Sequence, residues 1–243
     1  MILMRKALLS VLLCFSMPAI VVPVEKPATY SESYVILLKG ARAGTETVTE
    51  KTEPNGDVVS TSQHDVFVTD GLETKRMTFS TRMALSKSTG IPSAYSYWYT
   101  SGGTGDSYDV RIQNSRITRV LNRGGRTSEV TIPLEPGMVF VDFNVYHQYN
   151  HLAQRYDFKK GGRQTFADFI PVIGNDIPVA LTYLGDEKLP LKTGTLTVRS
   201  MRMEFIGIWS GTLWVDNDGR LVRLVVPNQD LEVLRSDLLP DAK

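Results

Sequence analysis

The chain is poor in cysteine and histidine: Cys14 is the single cysteine among 243 residues, and His64, His147 and His151 are the three histidines. Cys14 lies in an N-terminal apolar run, and the remainder of the chain has no thiol. Disulfides, a cysteine nucleophile and a thiolate zinc site are therefore excluded from that remainder. Net charge is also nearly absent, with 27 basic against 26 acidic residues. No global field favours nucleic acid or an anionic membrane surface. Motifs are missing as well. Gly207-Ile208-Trp209-Ser210-Gly211 places its serine one position too late for a nucleophile elbow. Gly102 to Gly105 lacks the Lys-Ser/Thr ending of a phosphate loop.

What is present begins with a leader. Arg5 and Lys6 precede an almost uninterrupted apolar stretch from Ala7 to Val22, closed by Pro23, Glu25, Lys26 and Pro27. A basic segment followed by an apolar one is the order read by the export machinery. Residues 1–24 are accordingly read as a signal peptide, with cleavage somewhere in 19–28, and residues 25–243 as one domain. The expected location is periplasmic or extracellular. An uncleaved N-terminal anchor is the alternative, and membrane contact is expected only in that case. Leu13 stands before Cys14 where a lipoprotein signal needs a small residue, so Cys14 belongs to the apolar run.

From Tyr30 onward, short β-favouring runs alternate with turn signals. Strands are expected over 34–39, 45–53, 58–68, 74–85, 93–100, 108–113, 117–121 and 128–132, then over 164–173, 178–183, 194–205, 207–216, 220–226 and 231–234. Pro54-Asn55-Gly56-Asp57 and Asp216-Asn217-Asp218-Gly219 are hairpin turns, because Asn-Gly and Asp-Gly tolerate positive φ. Asp216 and Asp218 open like a calcium loop, but the chain returns at once to strand. Many short strands and tight turns imply a mainly β fold, a curved antiparallel meander in the form of a half-barrel or open barrel. One amphipathic helix interrupts it over 143–156, capped by Asp142 or Asn144 and ended at Lys159-Lys160-Gly161-Gly162. Its apolar stripe is Val145, Tyr149, Leu152 and Tyr156, and this stripe is expected to pack on the sheet.

Candidate chemistry is sparse. His147 and His151 stand four apart on the helix, a spacing that would present two imidazoles to a metal. Both lie opposite the apolar stripe, beside Asn144, Gln148 and Arg155, and so are expected to face solvent or a loop. His64 and Asp65 are neighbours in a strand, point to opposite faces and form no dyad together. Tyr95, Tyr97 and Tyr99 alternate along one strand and share a face, with Trp98 on the other. Such a row serves either core packing or a ligand surface.

The leader and the segments YVILLKGARAGTETVTEKTEPNGDVV and GTLWVDNDGRLVRLVVPNQDLEVLRSDL resemble those of uncharacterised bacterial periplasmic proteins with a fold similar to the lipoprotein carriers LolA and LolB. That resemblance implies a curved antiparallel half-barrel with a helix in its mouth, and no catalytic residues. The leading expectation is a non-catalytic envelope protein binding an apolar or amphipathic molecule, or a protein partner, inside the curved sheet. Tyr95, Tyr97, Tyr99, Tyr149, Leu152 and Tyr156 are its candidate contacts, with no cofactor and no nucleic acid. A hydrolase or metal-dependent enzyme using His147 or His151 with a nearby carboxylate is one alternative. A structural or assembly component engaged through strand edges is the other.

Overall fold

The computed structural model describes residues 29–70, 73–101, 104–191 and 194–238. The leader and its cleavage region lie outside them. A first meander runs through β1 (Thr29–Leu38), β2 (Ala41–Thr52), β3 (Val58–Asp70), β4 (Glu73–Leu85), β5 (Pro92–Ser101), β6 (Thr104–Gln113), β7 (Arg116–Arg123) and β8 (Arg126–Pro133). An insertion follows, with β9 (Val139–Phe140), a 3-10 turn (Tyr146–Gln148), α1 (Tyr149–Ala153), β10 (Arg163–Phe166), β11 (Asp168–Ile170) and β12 (Asn175–Asp176). A second meander, β13 (Val179–Pro190), β14 (Thr195–Phe205), β15 (Trp209–Val215), β16 (Leu221–Val226) and β17 (Leu231–Arg235), completes the chain.

The two meanders join where the last strand pairs with the first, Tyr34 opposite Arg235 and Ile36 opposite Val233. One antiparallel sheet of 14 strands results, in the order β10-β13-β14-β15-β16-β17-β1-β2-β3-β4-β5-β6-β7-β8. It curls without closing, and β8 and β10 remain its edges. The expected turns form as read. Gly56 adopts φ +85, and Glu53 and Asp57 are bonded across the first turn. Asp216 accepts the N–H groups of Asp218 and Arg220 on its own Oδ1, a hairpin cap rather than a cation loop. Gly44 allows a close approach: a Cβ there would lie 2.3 Å from the carbonyl oxygen of Asp65.

The insertion fills the concave face. β9 alternates between two cores. Val139 and Val141 enter the larger core, with Met201, Leu213 and Val233, whereas Phe140 enters the smaller one, with Tyr95, Tyr108 and Ile117. β11 repeats the pattern with Phe169 and Ile170. The predicted stripe is in place, since Val145, Tyr149, Leu152 and Tyr156 are all buried.

The helix itself is much shorter than the expected 143–156. It comprises the 3-10 turn and the five residues of α1. Asn144 takes a left-handed φ of 67, and no side chain from positions 142–145 caps the turn. Asp142 cannot serve, because its carboxylate is engaged with Tyr95, Tyr108 and Val172. The expected strand 164–173 is likewise divided, into β10 on the large sheet and β11 on a separate three-stranded sheet with β9 and β12.

Burial of one large apolar side chain is worth about 1.5–3 kcal/mol. Val141, Val145, Tyr149, Leu152, Phe169 and Ile170 alone therefore commit on the order of ten kcal/mol to keeping the insertion in place. Leu152→Ala is expected to cost about 2–5 kcal/mol in urea unfolding, whereas Ile206→Ala, at a site 44% exposed, should stay within about 0.5 kcal/mol. Equal small effects would mean that the insertion is not part of the core.

Candidate functional site

Alternation along β2 sends Glu46 to the concave face, and the register sets it opposite His64 on β3. Glu46 Oε1 lies 3.3 Å from His64 Nε2 and 2.6 Å from His147 Nδ1, which arrives from the insertion. Its other oxygen accepts the backbone N–H groups of Tyr146 at 3.0 Å and His147 at 3.3 Å. Glu46, Ser62, His64 and His147 are each 2% exposed or less. Burial alone would raise the Glu46 pKa, but the imidazoles of His64 and His147 outweigh it and hold the carboxyl down to about 2. The expected outward orientation of the histidines is thus corrected for His147. The shortened helix turns its ring inward to the buried acid.

Ser62 Oγ lies 3.0 Å from His64 Nε2, which gives a Ser-His-Glu grouping. Serine and glutamate meet the same ring nitrogen, however, and His64 Nδ1 has no partner. A relay needs the acid on one nitrogen and the nucleophile on the other. Ser62 also shares its hydroxyl with Thr81 at 2.7 Å and is enclosed. Among the described residues no group of three or more His, Cys, Asp or Glu side chains is arranged to hold a metal ion. The carboxylate–imidazole contact is direct. His151 is half-buried, with Nε2 enclosed and unpartnered, and burial lowers its pKa to about 3.

A second buried acid faces the opposite way. Asp142, on the insertion, accepts the hydroxyls of Tyr95 at 2.8 Å and Tyr108, both on the wall, and the N–H of Val172 at 3.0 Å. Burial raises its pKa to about 6, with the tyrosine hydrogen bonds opposing. Asp168 accepts the Val141 N–H on Oδ1 and leaves Oδ2 unpartnered; burial raises its pKa well above the usual carboxylate range.

The predicted tyrosine row stands on the concave face. Tyr95 is 1% exposed, Tyr97 and Tyr99 are half-buried, and Trp98 points outward at 44%. Tyr97 stacks on Tyr108 with centroids 4.6 Å apart and on Phe79 at 5.5 Å, and Phe79 stacks on His64 at 3.9 Å. Arg119 ends this ladder 5.2 Å from the Tyr108 ring and bonds the Val172 carbonyl. Tyr149, Leu152 and Tyr156 belong to the larger core. The six candidate contacts therefore divide between wall and insertion.

An opening does exist at one end of the sheet, where the β14–β15 turn meets the start of the helical segment. It is a cleft of 240 Å³ lined by Phe143, Tyr146, Tyr149, Ile208, Trp209 and Leu231, with Asn144 and Gln229 as polar members. No charged side chain lines it. Phe143, Phe205 and Trp209 pack around it at centroid distances of 4.6–5.9 Å. Ile206 and Ile208 at the adjoining turn are each 44% exposed. Of these residues only Tyr149 was selected by the sequence reading. The available signal was the isoleucine pair flanking Gly207 in a turn, where polar residues are usual.

No family model matches the chain, and no curated protein matches it. Among solved structures it is similar to a beta-barrel-like protein of the domain of unknown function DUF1849 from Brucella abortus. The TM-score is 0.60 at 8% identity, over 86% of this chain and 94% of that one. A DUF1089 family protein from Pseudomonas aeruginosa aligns over 76% of this chain and 90% of its own, at 12% identity and a TM-score of 0.48. The first likeness shows the fold alone: the chain has a beta-barrel-like antiparallel architecture.

The two buried acids predict opposite pH dependences. Glu46 is depressed from 4.5 to about 2, so its stabilisation is present above about 4.5 and lost as pH falls toward 2. Asp142 is raised from 3.8 to about 6, so its contribution is full below about 3.8 and lost as pH rises through 6. In urea unfolding, Glu46→Gln should lose about 3 kcal/mol at pH 7 and flatten the acid-side decline. Asp142→Asn should flatten the decline between pH 4 and 6. A Glu46→Gln variant within 1 kcal/mol of the parent at pH 7 would contradict the assignment.

Proposed function

We infer that this chain is an exported, non-catalytic binding protein of the bacterial envelope, taking an uncharged apolar or amphipathic molecule in the end cleft. The observation that carries this reading is the cleft itself: aromatic walls, two amide side chains and no charge. Ligand sites combine apolar walls with a few polar groups that fix orientation. At 240 Å³ the cleft is smaller than the roughly 300–1,000 Å³ that holds a drug-sized molecule. It suits the terminal part of an aliphatic chain or one ring, with the remainder resting on Ile206 and Ile208. An amide pair would engage an ester, amide or hydroxyl rather than a phosphate or carboxylate.

Export rests on the leader sequence, and the envelope setting on the resemblance of the hairpin segments to periplasmic relatives of the LolA and LolB fold. The binding place differs from the sequence expectation. The interior of the curve is occupied by the chain's own insertion, and displacing it would forfeit on the order of ten kcal/mol. The hydrolase reading draws no support from His147, whose ring is enclosed against Glu46.

N-phenyl-1-naphthylamine, an uncharged apolar fluorophore, provides the test. Ile208→Asp should weaken its binding at least tenfold while the protein stays folded, and Ile173→Asp, equally exposed but outside the cleft, should leave it unchanged. Equal binding by both variants and the parent would place the site elsewhere. The mass of the chain purified from its source should correspond to cleavage within 19–28, and an intact Met1 would overturn export by a cleaved leader.

A further inference from the structure

The acids between insertion and wall are of two kinds. Glu46, from the wall, faces the imidazoles of His64 and His147. Asp142 and Asp168, on the insertion and both 0% exposed, accept instead from neutral groups. Asp142 takes the hydroxyls of Tyr95 and Tyr108 and the Val172 N–H, and Asp168 takes the Val141 N–H. Asp168 Oδ2 has no partner among the described residues. Nor has Gln148 Nε2, whose amide oxygen accepts the Asp142 N–H. A carboxylate with a bare oxygen is strongly disfavoured in a dry interior, and a second carboxylate nearby adds repulsion.

The β11–β12 hairpin spans these contacts. Asp168 begins it, Val172 lies in its turn, and its outer strand, Asn175–Asp176, is exposed. Its inner strand belongs to the small three-stranded sheet, where Asp168 pairs with Val139 and Phe169 with Phe140. Further ties run from the Val139 N–H to the Ala167 carbonyl, from the Val172 N–H to Asp142 and from Arg119 to the Val172 carbonyl. Beneath the hairpin, Phe140 and Phe169 meet at a centroid distance of 5.5 Å and share the smaller core with Tyr95 and Tyr108 of the wall.

We propose that the β11–β12 hairpin is a proton-held flap, shut while Asp142 and Asp168 keep at least one proton between them and lifted from the tyrosine wall when both are ionised. The groups facing the pair are Tyr95 and Tyr97 from β5, Tyr108 from β6, Arg119 from β7 and Tyr149 from α1, with Glu46 of β2 beyond Tyr149. Burial and the neighbouring acids hold the hydroxyls of Tyr95, Tyr108 and Tyr149 well above their ordinary range, so they remain donors. The Arg119 guanidinium favours ionised Asp142, and its bond to the Val172 carbonyl is the tie that opposes opening. Burial raises Asp142 to about 6 and Asp168 well above the carboxylate range, the latter aided by the Asp142 charge. A group raised on folding stabilises below its unfolded value and ceases to do so as pH rises through the folded one. The flap is therefore shut in acid and loosens from about pH 6 upward.

Amide protection factors, corrected for the intrinsic exchange rate at each pH, read local opening directly. The informative amides are Val139, Val172 and Ile177, which bond the Ala167 carbonyl, Asp142 and the Asp168 carbonyl. Between about pH 5 and about pH 9 they should lose at least tenfold in protection, while Leu213 and Val233 in the sheet change less than twofold. Asp168→Asn should cut the loss to below threefold, and Asp168→Asn combined with Asp142→Asn should remove it. If the double variant fails to fold, Asp168→Asn decides alone. Equal protection at both pH values, a loss shared by Leu213 and Val233, or an undiminished loss in Asp168→Asn would overturn the proposal.

Discussion

The buried carboxylate of Glu46 is the contact on which the arrangement depends. The helical segment lacks a side-chain cap of its own, because Val145 precedes the 3-10 turn and has no side-chain oxygen. A helix start leaves N–H groups unpaired, and burying them without partners would cost about 1–3 kcal/mol each. Glu46 supplies the missing acceptor from the sheet wall, taking the N–H groups of Tyr146 and His147 and the His147 ring together. It is in effect a cap in trans, contributed from a strand about a hundred positions earlier.

The same solution recurs through the insertion. Asp168 accepts the Val141 N–H, Gln148 the Asp142 N–H, and Asp142 the Val172 N–H. Asn150 accepts the Leu221 N–H at 2.6 Å, tying α1 to β16. An irregular segment can lie inside a curved sheet only if its backbone groups find partners, and side chains provide them here. The buried acids are therefore accounted for by architecture, and the end cleft lies beside the start of the helical segment, between Phe143, Tyr149 and the β16–β17 strands. Its lack of charge contrasts with the acid-rich interior beside it.

Strands and turns were legible because they depend on local chemistry. Alternating threonines, Asn55-Gly56 and Asp218-Gly219 mark β2, its turn to β3 and the β15–β16 hairpin without reference to anything distant. The stripe Val145, Tyr149, Leu152, Tyr156 was legible for the same reason, since spacing alone predicts a shared face. The orientation of His147 was not. On an ideal helix it opposes the stripe, and only the left-handed turn at Asn144 and the distant Glu46 bring it inward. The pairing of Asp142 with two wall tyrosines was hidden likewise, because it joins the insertion to strands more than thirty residues away in sequence. The tyrosine row was recognised as a row, and stacking with Phe79 and Tyr108 decides its setting. The end cleft was missed because it is assembled from three stretches of chain far apart in sequence: the helical segment, the β14–β15 turn and the β16–β17 hairpin.

The most direct test of a Glu46-anchored insertion is amide hydrogen exchange. The N–H groups of Tyr146 and His147 should exchange as slowly as those of Leu213 and Val233 in the sheet core, and Glu46→Gln should speed the former selectively. Fast exchange at Tyr146 and His147 in the parent protein would contradict the account, because the insertion would then open independently of the sheet.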